Sequence, residues 1–250
     1  MTEPTPNPHT DHSIDHGDCT GVVTLGIEMS NPASAPPEDP AHTVALWAGT
    51  DDAPPLIASA PLPTGARASD ALMDAVRALC ADNAIAPARI ARIIVSTGPG
   101  GYTALRIATT TAKMLALTLG AELIAVPSAR VVALGCTPRQ CPALIALASK
   151  KDRVHASIAR DDGRVEEVGI IESERLASLG VRSIIADRHL PDAFDARARA
   201  LGIARLPLRL DARELLRASV GLGVTEPLLL QPRYAREPDA VTQWRARGSG

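Results

Sequence analysis

The order of apolar runs and turn signals predicts an α/β protein built from two lobes. Three observations carry this. A strand-like run, Ile93-Ile94-Val95, ends in Gly98-Pro99-Gly100-Gly101, a long helical pattern follows at once, and Leu123-Ile124-Ala125-Val126 reads as the next strand. Such a βαβ unit should cross over right-handed to a parallel neighbour. The same succession of three strands, a helix and a strand runs up to this unit and starts again near Pro142. Finally, hydrophobic residues make up 46% of the 250 residues but aromatics only 2%, so the cores of two small lobes must be built from Ala, Leu, Ile and Val.

Residues 1–20 are polar and rich in His, Pro and Asp, the composition of a disordered tail. His9, His12, His16 and Cys19 fall close together there, with His12 and His16 at i, i+4. A metal site and a biased, floppy tail are the two readings, and no helix signal supports the first. Residues 21–27 and 42–49 predict an antiparallel strand pair, and Leu56 to Ala60 a third strand. Between the first two lies an insertion, 31–41, containing Pro32, Pro36, Pro37 and Pro40. Ala68 to Asn83 predicts a helix with Leu72, Val76 and Leu79 on one face. A strand over 91–96 follows, then a helix over 103–119 with Thr103 as N-cap. Leu105, Ala108, Ala112, Leu115 and Leu119 form its apolar stripe, and Gly120 sits where a left-handed C-cap belongs.

In the second lobe, strands are expected at 143–148, 153–159 and 164–171, a short helix near Glu172 to Leu179, and a strand over Ser183 to Ala186. A helix from Asp211 to Leu222, with Asp211 as N-cap, closes it. The division is therefore tail 1–20, first lobe 21–127, second lobe 128–224 and an extended C-terminal tail 225–250.

The 26 basic and 28 acidic residues give a net charge of −2, which offers no electrostatic reason for strong independent binding to nucleic acid. Cys19, Cys80, Cys136 and Cys141 form no C-x-x-C pair and no zinc spacing, as expected for a reduced cytoplasmic chain. The first residues lack the apolar core of a signal peptide. The apolar region from Met114 to Val126, broken by Gly120 and Glu122, is too short to span a bilayer.

The glycine-rich turn places free N–H groups at a helix N-terminus, where anions bind. Glycines at such a turn also serve tight geometry and close packing alone. No Lys-Ser/Thr pair follows the last glycine, so this is no Walker loop, and the spacing is not that of the dinucleotide fingerprint.

The run Gly98-Pro99-Gly100-Gly101-Tyr102-Thr103-Ala104-Leu105-Arg106-Ile107 resembles the Gly-Pro-Gly-Ser-Phe-Thr-Gly-Leu-Arg-Ile signature of the TsaB family. The similarity continues through Ala112-Lys113-Met114-Leu115-Ala116-Leu117 and Val126-Pro127-Ser128. Flanking segments agree in order: Leu25 to Ser30 with Val44 to Trp47, Ala143 to Leu147 with Val154 to Ser157, and Pro232-Arg233-Tyr234-Ala235-Arg236. The chain departs from the pattern at Gly101, Tyr102 and Ala104, at Glu28 in place of Asp, and in the Pro-rich insertion. The resemblance implies the actin-like, sugar-kinase-like ATPase (ASKHA) fold with a shortened second lobe. It implies a non-catalytic subunit that binds and activates a TsaD-type threonylcarbamoyltransferase, with a TsaE-type ATPase as a further partner and tRNA met only through the complex.

Catalytic members of that superfamily hold metal with acidic residues at the end of the first strand of each lobe. Here Glu28 stands at the first place, and Ser149-Lys150-Lys151 precede Asp152 at the second; lysines do not ligate magnesium. The stretch Val126 to Ala133 contains no histidine, whereas TsaD carries a metal-binding His-x-x-x-His helix there. No catalytic residue, metal or obligate cofactor is therefore expected. Glu28, Ser30, Gly98, Gly100, Gly101 and Thr103 remain a degenerate phosphate loop, and weak ATP or ADP binding is expected only at the partner interface. The alternative is an active ASKHA-type phosphotransferase or ATPase that uses the loop from Gly98 to Thr103 for phosphate, with Glu28 as metal ligand. The helix over 103–119 has a second face of Ile107, Thr111, Met114 and Thr118. It is either a helix buried within its lobe or a partner interface through Leu105, Ala108, Thr111, Ala112, Met114 and Leu115, which a homodimer of the free protein would share.

Overall fold

The computed structural model describes residues 21–30, 42–49, 54–62 and 68–235. The tail 1–20, the insertion 31–41 and the last residues, 236–250, lie outside the described residues, as do the expectations made for them. Among the described residues, ten strands form two five-stranded sheets. The first contains β1 (Val22–Glu28), β2 (His42–Gly49), β3 (Leu56–Leu62), β4 (Ile90–Ser96) and β5 (Glu122–Val126). The second contains β6 (Ala143–Lys150), β7 (Arg153–Ala159), β8 (Val165–Glu172), β9 (Ser183–Ala186) and β10 (Ala204–Pro207). The strand orders are β3-β2-β1-β4-β5 and β8-β7-β6-β9-β10. In each sheet the first three strands form an antiparallel meander, and the last two run parallel to the first. The duplicated plan is therefore present strand for strand.

Helices α1 (Ala68–Asp82) and α2 (Tyr102–Leu119) cover the outer face of the first sheet. Two short helices, α3 (Ser128–Ala133) and α5 (Leu215–Ser219), lie between the sheets, and α4 (Asp192–Ala200) covers the second sheet's outer face. Strand alternation assigns the side chains. Leu25 and Ile27 of β1 and Ile93 and Val95 of β4 enter the outer core, whereas Ile94 points into the middle layer. Ile145 and Leu147 of β6 meet that middle layer from the other side, and Leu144 and Ala146 face the third core around the buried Phe194. Because both faces of each central strand are buried, these strands are mostly apolar, with Thr24 and Glu28 of β1 and Ser96 of β4 as buried polar exceptions. Gly26 lets the Trp47 ring lie across β1, where an added Cβ would come within 2.7 Å of it.

The short helix expected after β8 is there, as a 3-10 helix over Ser173–Ser178. Several elements differ from the sequence expectation. The predicted helix 211–222 is a 3-10 turn, Ala212–Glu214, running into five-residue α5; Asp211 does cap it, accepting from the Arg213 N–H. Helix α4 and strand β10 had no counterpart in the sequence reading. The second lobe is short in its helices, not in its sheet. Among the described residues, no helix is long and apolar enough to cross a membrane.

Candidate functional site

The site grows from the turn between β4 and α2. Thr97 N–H donates to Val126 O at 2.9 Å, tying the turn to β5. Gly98 has φ +98°, a conformation that L side chains avoid, and its carbonyl accepts from Ser128 N–H at 2.9 Å. A Cβ on Gly98 would lie 2.6 Å from Arg233 O and 2.7 Å from the Leu105 side chain; one on Gly100 would lie 1.7 Å from Ser30 O. Gly101 N–H donates to that same Ser30 oxygen at 2.7 Å. The glycines thus admit the chain's own backbone from two directions, the end of β1 and the C-terminal segment.

The cap also departs from expectation. Helix α2 begins at Tyr102 with Gly101 as N-cap and no side-chain cap bond. Thr103 is already inside the first turn and exposed, so its hydroxyl does not cap the helix. At the other end Gly120 takes φ +65°, the left-handed C-cap predicted.

Glu28 is fully buried, its Oε1 accepting from Ser30 N at 2.7 Å and from Ser30 Oγ at 2.5 Å, while Oε2 is buried without a hydrogen-bond partner among the described residues. Burial pushes its carboxyl above the ordinary range and the charge of Asp211 adds to this; the Ser30 bonds and the nearby Ser96 hydroxyl oppose the rise. Ser96 Oγ and Ser128 Oγ lie 2.9 Å apart, both buried. Glu28 and Ser30 therefore bond to each other, both buried, at the end of β1 beneath the turn.

The C-terminal segment completes the site. Thr225 N–H bonds to Leu123 O, Leu230 is buried in the outer core, and Arg233 N–H donates to Thr97 O at 2.7 Å. The Tyr234 ring stacks on Tyr102 at 4.7 Å, and the Arg106 guanidinium lies over the Tyr102 ring, 5.5 Å from its centroid. The Arg233 guanidinium pairs with Glu167 of β8, which also meets His155 Nε2 at 3.1 Å. Burial lowers the His155 pKa against the pull of Glu167. Beside these groups a cavity of about 540 Å³ opens between the lobes, lined by Pro99, Pro127, Arg130, His155, Arg164 and Glu167 among others. Its charges are mutually engaged: Arg164 with Asp162, Arg233 with Glu167, and Arg130 with the carbonyls of Ala218 and Val220. The part played by Arg233 and Tyr234 escaped sequence reasoning, although their Pro-x-Tyr context was the available signal.

The six expected interface residues divide. Leu105, Ala108 and Ala112 are fully buried in the protein's own core, because α2 lays its small-residue face against β4, β5 and β1. This corrects their expected place on a partner-facing surface. Thr111 and Leu115 are half-buried, and Met114 is 57% exposed. Met114 and Leu117 of α2 stand on the outer surface, as do Leu228 and Leu229 of the adjoining 3-10 turn Pro227–Leu229.

Cys136 and Cys141, distant from any recognised spacing, lie side by side as free thiols. Burial, with the neighbouring Cys141, pushes the Cys136 thiol up to about 11. Among the described residues no cluster of three or more His, Cys, Asp or Glu could hold a metal ion.

Residues 60–205 match the family described as TsaD, tRNA N6-adenosine threonylcarbamoyltransferase. No curated protein matches the chain in sequence. Two Pseudomonas aeruginosa structures share the fold. One, an uncharacterised protein with similarity to peptidase YeaZ, superposes with a TM-score of 0.63 at 19% identity, over 86% of this chain and 100% of its own. The other, YeaZ, gives 0.61 at 19% identity, over 85% and 99%. The fold is thus the actin-like ASKHA type. Matched over more than half of its length and folded as YeaZ (TsaB) is, the chain belongs to the TsaD family.

Proposed function

We propose that this protein is a non-catalytic, TsaB-type subunit of the tRNA threonylcarbamoyladenosine machinery, which binds and activates a TsaD-type threonylcarbamoyltransferase. The observation that carries the reading is the filled turn. Ser30 and Arg233 occupy the approaches to Gly100 and Gly98 where a phosphate would have to come, and Glu28 is buried on Ser30. Close packing therefore accounts for the glycines without a nucleotide. The exposed apolar residues Met114, Leu117, Leu228 and Leu229 supply the surface on which the transferase docks, since clustered exposed apolar side chains mark interaction sites. The free protein pairs with itself through the same surface. A TsaE-type ATPase joins the assembly, any ATP or ADP is held weakly at the partner interface, and tRNA is met only through the complex, in the cytoplasm. Reconstitution tests this: a purified TsaD-type enzyme should modify tRNA with this chain present and fail without it. Equal modification in its absence would overturn the proposal.

A further inference from the structure

Arg233 is bonded to both lobes at once. Its N–H donates to Thr97 O at 2.7 Å, and its carbonyl fills the space beside Gly98. Both contacts belong to the glycine-rich turn of the first lobe. Its guanidinium reaches Glu167 on β8, the edge strand of the second sheet. Glu167 is in turn fixed to β7 through His155 Nε2 at 3.1 Å. Tyr234, next along the chain, stacks on Tyr102 at the start of α2. Upstream, Leu230 is buried in the outer core, so the segment cannot slide. Arg233, Glu167 and Pro99 all line the cavity of about 540 Å³ between the lobes.

We infer that residues 231–235 form an interlobe latch, in which the main chain of Arg233 seals the glycine-rich turn while its side chain holds the edge strand of the second sheet. The two halves of the latch differ in strength. The main-chain half sits in a glycine-lined slot. The ionic half is exposed, with 45% and 49% of the two side chains accessible, and pairs of that kind bias a local equilibrium only about two- to fivefold. A latch with one firm and one weak end releases at the weak end, which unties β8 from the C-terminal segment, leaving it held in the sheet by β7 alone, while the strap stays on the turn.

Hydrogen exchange read by mass spectrometry on the full chain tests this. Arg233→Ala should raise exchange about two- to fivefold in β8, with β9 and β10 unchanged. It should raise exchange less in residues 97–101, where the main-chain contacts remain. Combining Arg233→Glu with Glu167→Arg restores the ion pair in reverse and should return β8 towards the wild-type rate. A rise confined to residues 231–235, a uniform rise across the chain, no change, or a charge swap that fails to restore β8 would each overturn the latch.

Discussion

Gly100 gives the sharpest test of the claim that the turn is filled by the chain itself. A Cβ added there would stand 1.7 Å from Ser30 O and 2.5 Å from its carbonyl carbon, whereas ordinary contact begins at 3.4 Å. The two backbones would have to part by roughly 1.7 Å along that line, and neither side is a flexible side-chain end. Such a shift carries the Gly101–Ser30 hydrogen bond from 2.7 Å beyond bonding distance. It also pulls the Ser30 N–H and hydroxyl away from Glu28. Three buried hydrogen bonds at ~1 kcal/mol each, with an added penalty for groups left without partners, bring the cost of Gly100→Ala to about 3–5 kcal/mol. In urea melts followed by circular dichroism the unfolding free energy should fall by that amount, and the thermal midpoint by roughly 6–20 °C. Gly120→Ala is the control: its φ is +65° but no atom lies within 4 Å, so left-handed strain alone should cost ~1–2 kcal/mol. If Gly100→Ala costs no more than Gly120→Ala, close approach to Ser30 is not what this glycine provides.

The raised pKa of Glu28 means that its contribution to stability is complete below pH 4.5 and is lost as pH rises through the folded-state value. Glu28→Gln, which keeps the acceptor for Ser30, should therefore gain on the wild type as pH climbs from 4.5 towards neutrality; parallel stability curves for the two proteins would refute this. Ala112→Arg buries a charge in the α2 core and should unfold the first lobe at a cost on the order of 3–5 kcal/mol. Met114→Arg, on the exposed face, should melt within ~0.5 kcal/mol of wild type yet lose capture of a TsaD-type transferase; a pull-down that still succeeds would remove this face from the interface. Because the Cys136 thiol is pushed up to about 11, its alkylation rate should keep rising with pH well past 9, and a plateau near pH 9 by timed iodoacetamide labelling would contradict that environment.

The first lobe was legible because its central strands, β1 and β4, are buried along most of their length, and glycine or proline marks its turns. The missed elements lack those marks. In α4 the sequence Asp-Ala-Phe-Asp-Ala-Arg-Ala-Arg-Ala buries only Phe194 and Ala198, too few positions for a 3.6-residue period to stand out. Strand β10 has four residues, mostly exposed, and ends in Pro207; it belongs to the sheet because β9 offers a parallel edge, not because its own side chains ask for burial. Duplication was the stronger signal, since a second lobe copying the first required a βαβ unit after β9. Similarly, the 211–222 segment carries enough leucine to suggest a long helix, but tertiary contacts with β1, β4 and β5 use only one turn of it.

At the site, sequence located the turn but not its occupant. Gly98 and Arg233 are far apart in the chain, and periodicity says nothing about contacts at that range. The same limit applied to α2. Its pattern offered two faces able to bury surface, a stripe of Leu105, Ala108, Ala112, Leu115 and Leu119 that carries the alanines, and a second face of Ile107, Thr111, Met114 and Thr118. The sheet takes the alanine face, because small side chains let a helix settle closely on β4 and β1. The larger side chains are thereby turned outward beside Leu228 and Leu229. That choice follows from packing density: a methionine or leucine beneath the helix would hold it away from strands already crowded with Ile93, Val95 and Leu25. Small residues on a helix thus indicate close approach without naming the neighbour, and here the neighbour is the lobe's own sheet.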